Sequence, residues 1–182
     1  MEDISLHLLD LAQNSLSAGA TLIELLIQED SEKGTMTIVI QDNGYGMDEK
    51  QVRKITDPFF TTRSTRKVGL GIPLFQASAE ATGGQLHIIS CLDVGTKIEA
   101  IFHTDHIDCL PLGKIDDTIT TLIYLNPGID FIYSHKKNDK QLLLDTREIR
   151  SVIGDISIAN LSVIDWIKRY LIEGLKEING GV

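Results

Sequence analysis

The sequence holds two cysteines, Cys91 and Cys109, one tryptophan and 5% aromatic residues in a length of 182. Two isolated cysteines exclude a disulfide framework and a zinc site built on paired CxxC motifs. No apolar run approaches the roughly 18 residues that would span a bilayer, so no membrane partner is expected. The start, MEDISLHLLDLAQNS, lacks a basic segment followed by an apolar stretch and is not read as a secretory leader. Basic residues are also scarce: 17 Lys and Arg stand against 26 Asp and Glu, a net charge of −9 with a pI near 4.9. Without a basic face, nucleic acid is not an expected partner. What is present is 42% hydrophobic, enough for a core in one domain or one domain with an appendage. The expectation is a reduced, cytoplasmic protein.

Apolar periodicity predicts an N-terminal helix with Ile4, Leu8, Leu11 and Leu16 on one arc and Ala12 beside them. Leu22–Gln28 and Thr35–Gln41 alternate as strands around a polar turn, which predicts a hairpin. A short helix is expected over Asp48–Ile55. A stronger one covers Ile72–Thr82, with Pro73 in its first turn and Gly83-Gly84 stopping it. Gln85–Ser90 and Thr96–His103 read as a second strand pair. The chain then changes character. Residues 104–182 carry a helix at Asp116–Tyr124, a hairpin FIYSH/QLLLD and a closing amphipathic helix at Ser162–Lys176. We therefore expect a first domain over 1–103 and a small α+β extension over 104–182. Trp166 is assigned to the core, and Cys91 reads as a small buried hydrophobe.

Three motifs carry chemistry. Asp10 and Asn14 lie one helical turn apart and share a face, with His7 on the same stripe opposite the apolar arc. A carboxylate beside a carboxamide supplies hard oxygens suited to Mg²⁺ and to orienting a water or hydroxyl. The second motif is Asp42-Asn43-Gly44-Tyr45-Gly46-Met47, directly after a strand. Its glycines let backbone approach a flat ligand, and Asp42 can accept from an exocyclic amine such as adenine N6. The third, Val68-Gly69-Leu70-Gly71-Ile72-Pro73, opens a helix after Arg63, Arg66 and Lys67. Backbone N–H groups and the macrodipole at such a helix start favour phosphate. The chain contains neither GxxxxGK[ST] nor GxGxxG.

In this order and spacing, the motifs resemble those of the histidine-kinase-like ATP-binding superfamily shared by sensor kinases, DNA gyrase, heat-shock chaperones and mismatch-repair ATPases. DLAQNSLSAGA is similar to its N-box, DNGYGM to its G1 box and VGLGI to its G2 box. DPFFTTR resembles the F-box that leads into a mobile lid, and VGTKIEAIF resembles the closing strand beside the adenine pocket. The likeness covers about residues 1–103. It implies a fold of the Bergerat type: an α+β, two-layer α/β sandwich in which helices cover one face of a mixed sheet. It also implies ATP and Mg²⁺ as cofactors. Asn14 would bind the metal, and Asp10 would stand at the general-base position, where the usual residue is Glu. Asp42 would recognise adenine, with Gly44, Gly46 and Met47 shaping the pocket and Thr96 supporting it through water. Gly69, Leu70 and Gly71 would hold phosphates beneath a lid that includes Thr61, Thr62, Arg63 and Lys67; Lys67 occupies a place where the family usually has glycine.

The few residues before Asn14 leave no room for the phosphoacceptor hairpin of a sensor kinase, and no histidine is followed by Asp or Glu. The stretch after His103 is short for a gyrase-type transducer domain. The expected function is therefore an Mg-ATP-binding unit with kinase or ATPase activity that phosphorylates or switches a partner protein in trans. The alternative is a module that binds ATP without hydrolysing it, in the manner of an anti-sigma-factor-like regulator. A homodimer is left open.

Overall fold

The computed structural model describes residues 3–56 and 70–180. Helix α1 (Ile4–Ser17) starts at Asp3, whose carboxylate accepts the Leu6 N–H at 3.0 Å and so satisfies one orphan donor of the first turn. Strands β1 (Leu22–Asp30) and β2 (Thr35–Asp42) form the expected hairpin, followed by α2 (Glu49–Thr56). Helix α3 (Gly71–Ala81) leads into the second hairpin, β3 (Gln85–Cys91) and β4 (Gly95–His103). Beyond it come α4 (Ile115–Leu125), β5 (Asp130–Lys137), β6 (Lys140–Asp145), α5 (Thr146–Ile153) and α6 (Leu161–Ile178).

All six strands belong to one mixed sheet in the order β3-β4-β2-β1-β5-β6. Only β1 and β5 pair in parallel; β4 already runs in their direction, and the chain reaches β5 from β4 by a crossover through α4. The register puts Ile23, Leu25 and Ile27 of β1 on the same face as Ile38 and Ile40 of β2, Ile98 and Phe102 of β4, and Phe131 and Tyr133 of β5. These side chains are all buried, whereas Leu26, Ile89 and Leu143 on the other face are exposed. Helices α3, α1, α4 and α6 lie side by side over the apolar face, α3 above β3 and β4, α1 above β2, α4 above β5 and α6 above β6. The helix-on-one-face architecture is the one the sequence implied, and residues beyond 104 prolong the same two layers.

Several local expectations are corrected. The polar Ser15, not Leu16, completes the buried stripe of α1, because its hydroxyl has a partner beneath the helix. His7 is buried against α3 instead of facing solvent. Cys91 is exposed, since it ends β3 at an outward register position. Trp166 is half exposed: Ile167 and Leu171 take the core side of α6 and leave the indole stacked on Tyr170. Helix α5 was not anticipated. It follows β6 with no spacer, and Asp145 serves as both the last strand residue and the N-cap, accepting from the Arg147 N–H at 2.9 Å. Among the described residues no helix is long and apolar enough to cross a membrane.

Candidate functional site

The second half of α1 supplies one wall of the site. Asp10 is exposed and Asn14 half-buried, one turn apart, and both face the start of α3. A Cβ on Gly71 would stand 3.1 Å from the Asp10 Cβ and 3.9 Å from the Asn14 Nδ2, a tight fit that would make Asp10 give way slightly if any larger residue stood there. Among the described residues no side chain caps the N-terminus of α3, where Leu70 precedes Gly71. Its first-turn N–H groups are therefore available to an anion. Among the described residues, the side chains of Asp10 and Asn14 are engaged in no hydrogen bond or ion pair. Carboxylate, carboxamide and open helix N-terminus thus meet at one point.

The other end of the site is a polar row across three strands. Asp42 on β2 is the register partner of Thr96 on β4, which in turn is opposite Ser90 on β3. All three point to the helix-covered side, at the edge where the apolar core stops. The Ser15 hydroxyl donates to Asp42 Oδ2 at 2.6 Å, and the Gly44 N–H donates to Oδ1 at 2.9 Å. Each carboxylate oxygen keeps a further lone pair for a ligand donor. Ser90 Oγ accepts the Met47 N–H at 2.8 Å and shares a 2.8 Å hydrogen bond with Thr96 Oγ1. These bonds fix the aspartate, the threonine and the loop after β2 relative to one another.

That loop is fastened on three sides. Asn43 Oδ1 accepts from the N–H groups of Thr21 and Leu22, the Tyr45 N–H donates to the Ala18 carbonyl at 2.8 Å, and the Asp93 N–H donates to the Tyr45 carbonyl at 2.7 Å. Gly46 adopts φ +64°, and a Cβ there would lie 1.9 Å from the Cys91 carbonyl oxygen. Gly46→Ala is accordingly expected to cost at least about 2 kcal/mol and to lower the thermal midpoint by roughly 4–8 °C. Differential scanning calorimetry of the variant checks this.

Beneath Asp10, the His7 ring packs on Phe75 at 5.5 Å between centroids, and its Nε2 meets the Ser78 hydroxyl at 3.2 Å. Burial holds its pKa below the usual 6.5. Ser78 Oγ also donates to the Leu74 carbonyl, an arrangement that leaves it to accept from a neutral imidazole Nε2–H. His7 Nδ1 is buried with no hydrogen-bond partner among the described residues.

The structure thus brings together Asp10, Asn14, Leu70 and Gly71 at one end and Asp42, Gly44, Gly46, Met47 and Thr96 at the other. Thr61, Thr62, Arg63, Lys67 and Gly69, with the F-box segment, lie outside the described residues. Ser15 and Ser90 were missed. Each interrupts an apolar face, Ser15 at the spacing of Leu8 and Leu11, and Ser90 two residues beyond Ile88; a hydroxyl at such a position signals a buried polar partner.

A family model described as histidine kinase-, DNA gyrase B- and HSP90-like ATPase matches residues 2–106. The chain belongs to this family. It contains, across the matched residues 2–106, an ATP-binding domain of the kind related to sensor kinases and MutL. The DNA mismatch repair protein MutL of Listeria monocytogenes is 27% identical over 85% of this chain and 32% of its own length. The autoinducer 2 sensor kinase/phosphatase LuxQ of Vibrio cholerae is 30% identical over 54% of this chain and 12% of its own length. Among solved structures, the Aquifex aeolicus MutL ATPase domain complexed with ADP shares the fold, with a TM-score of 0.51 and 17% identity over 84% of this chain and 69% of that one. The chain therefore spans a third or less of the length of these two family relatives.

Proposed function

We propose that the chain binds Mg-ATP between α1, the loop after β2 and the start of α3, and uses it for phosphoryl transfer or hydrolysis that acts on a partner protein. The observation that carries this reading is the convergence on one helix. Within α1, Asp10 and Asn14 face a helix N-terminus that no described side chain caps, while Ser15 anchors Asp42 at the opposite end. Asp42 accepts the exocyclic amine of adenine, Thr96 and Ser90 line the floor, and Gly44, Gly46 and Met47 form the wall. The N–H groups of Gly71 and Ile72 take phosphate oxygens. Thr61, Thr62, Arg63, Lys67 and Gly69 are assigned to the phosphates on the family resemblance alone.

The donor set at the phosphate end fits magnesium, because an amide oxygen and a neighbouring carboxylate are hard ligands and, among the described residues, the Asn14 side chain is not spent on a protein partner. Asn14 is the residue that would hold the ion, which neutralises phosphate charge when bound. Asp10 accepts a proton from the attacking water or hydroxyl as the bond from the γ-phosphorus to the ADP oxygen breaks. The exposed, short-armed Asp10 also supports a second reading, a regulator that holds ATP without turnover. A homodimer is compatible with either reading.

Isothermal titration with Mg-ATP tests the binding step. Asp42→Asn replaces an acceptor with a group that can turn an N–H toward adenine, and losing a hydrogen bond to a charged group costs about 1.5–3 kcal/mol. The expected result is roughly 10–150-fold weaker binding with an unchanged far-ultraviolet circular dichroism spectrum. Wild-type affinity in this variant would remove Asp42 from the site.

A further inference from the structure

At the far end of the sheet from the nucleotide site, β6, α5 and α6 enclose an apolar trough of about 480 Å³. Leu144 and Ile149 are half-buried or buried within it, while Val152 is 85% exposed, Trp166 52% and Leu143 48%. Leu161, 72% exposed, begins α6 one residue before the trough-lining Ser162. Scattered single apolar residues on a surface need no explanation, but large apolar side chains gathered around one concavity mark an interaction site. Among the described residues nothing covers this one.

The shape and charge of the trough restrict its occupant. Strand β6 is the last in the sheet, yet the Tyr170 hydroxyl donates to the Leu143 carbonyl on that strand at 2.7 Å. A side chain thus takes one backbone acceptor of this edge strand, and the exposed apolar surface gathers instead in the concavity between the two helices. The charged residues lining it are both acidic, Asp145 and Glu148. Asp145 is neutralised by the Arg147 guanidinium at 2.6 Å. Arg150 and Arg169 are likewise paired, with Asp130 and Asp165. Among the described residues Glu148 has no side-chain partner, so the trough has one uncompensated negative end. A second copy of the chain, itself at −9, would bring repulsion instead of complementarity.

We propose that this trough docks an amphipathic helix of a partner protein, with the partner's apolar stripe between α5 and α6 and a cationic residue against Glu148. Aliphatic side chains of the docked helix fill the space beside Trp166 and Val152, and the cation supplies the charge that Glu148 lacks. The proposal does not depend on nucleotide binding.

The chain's single tryptophan is Trp166, so its emission reads occupancy of the trough alone. The full chain is titrated, without nucleotide, with a synthetic leucine–arginine amphipathic helix. Two controls are its leucine–glutamate counterpart and a peptide of the first composition in scrambled order. The expected result is a saturable blue shift with the arginine helix, binding at least about tenfold weaker with the glutamate helix, and no saturable shift with the scrambled one. Glu148→Lys should reverse the order of the two helices, and Val152→Asp should abolish binding by both. Because Glu148 and Val152 are exposed, both variants should stay folded: thermal unfolding of Val152→Asp should match that of the parent, and that of Glu148→Lys, which loses the first-turn acid of α5, should fall only slightly. The absence of a saturable shift, an equal response to both helices, or an unchanged preference in Glu148→Lys would overturn the proposal. So would a dimer, seen by sedimentation equilibrium, that Val152→Asp dissociates, because the trough would then belong to a second copy.

Discussion

Asp10→Asn is expected to lower ATP hydrolysis or phosphotransfer by about 10²–10⁴-fold while Mg-ATP binds nearly as tightly as before. The asparagine keeps the shape of the side chain but cannot take a proton from the nucleophile. On the proposed reading affinity survives, because the contacts assigned to Asp42, Asn14 and the start of α3 are untouched. Asn14→Ala should do the opposite and weaken Mg-ATP binding itself, since it removes the oxygen that the proposal assigns to the metal. Steady-state phosphate release, autophosphorylation assays and calorimetry on the two variants separate these effects. Turnover in Asp10→Asn equal to that of the parent would favour the ATP-holding regulator.

His135→Ala should cost about 2–4 kcal/mol of folding stability, read as a lower urea midpoint. His135 is fully buried on β5, with Nε2 at 2.8 Å from Glu29 Oε1 and Nδ1 at 2.9 Å from the Tyr133 hydroxyl. A neutral imidazole satisfies both, donating to the carboxylate and accepting from the phenol. Among the described residues, its removal leaves the Tyr133 O–H without an acceptor and Glu29 with only Lys137, at 3.2 Å. Burial already pushes the phenol well above its usual titration range. The His135 hydrogen bond, reinforced by Lys137, holds the Glu29 carboxyl below its ordinary value of 4.5. A carboxylate depressed in the folded state binds its proton more readily when unfolded. Its contribution is therefore complete above pH 4.5 and lost as the pH falls from there toward the folded-state pKa. Glu29→Gln should remove this part of the acid dependence, seen by comparing urea midpoints between about pH 6 and about pH 3.

The elements whose periodicity is dictated by a single buried face were readable from the chain. β1, β2 and β4 alternate because one side packs under helices, and the glycines after β2 stand where backbone meets backbone. Other features depend on what lies across the fold. The register that sets Asp42 beside Thr96 joins residues far apart in sequence, and no local pattern encodes it. His7 looks like part of a polar stripe until α3 covers it with Phe75 and Ser78. The apolar stripe of α6 is wide enough to serve two surfaces, and only the position of α5 reveals that Ile167 turns to the core while Trp166 lines the trough. Helix α5 escaped notice because its eight residues follow a strand without turn chemistry.

The parallel pairing of β1 with β5 makes the later part of the chain a shield for the earlier part. From Ile23 to Glu29, β1 is flanked by β2 on one side and by β5 on the other. Shortening the chain to the family-matched region would strip β1 of that second neighbour and leave its outward N–H and C=O groups bare. A long apolar strand in that state is a template for any extended chain it meets, and proteins ordinarily guard such edges with charge, bulges or cover. Here the guard is a further hairpin, and the new edge it creates at β6 is shorter and has one carbonyl held by Tyr170.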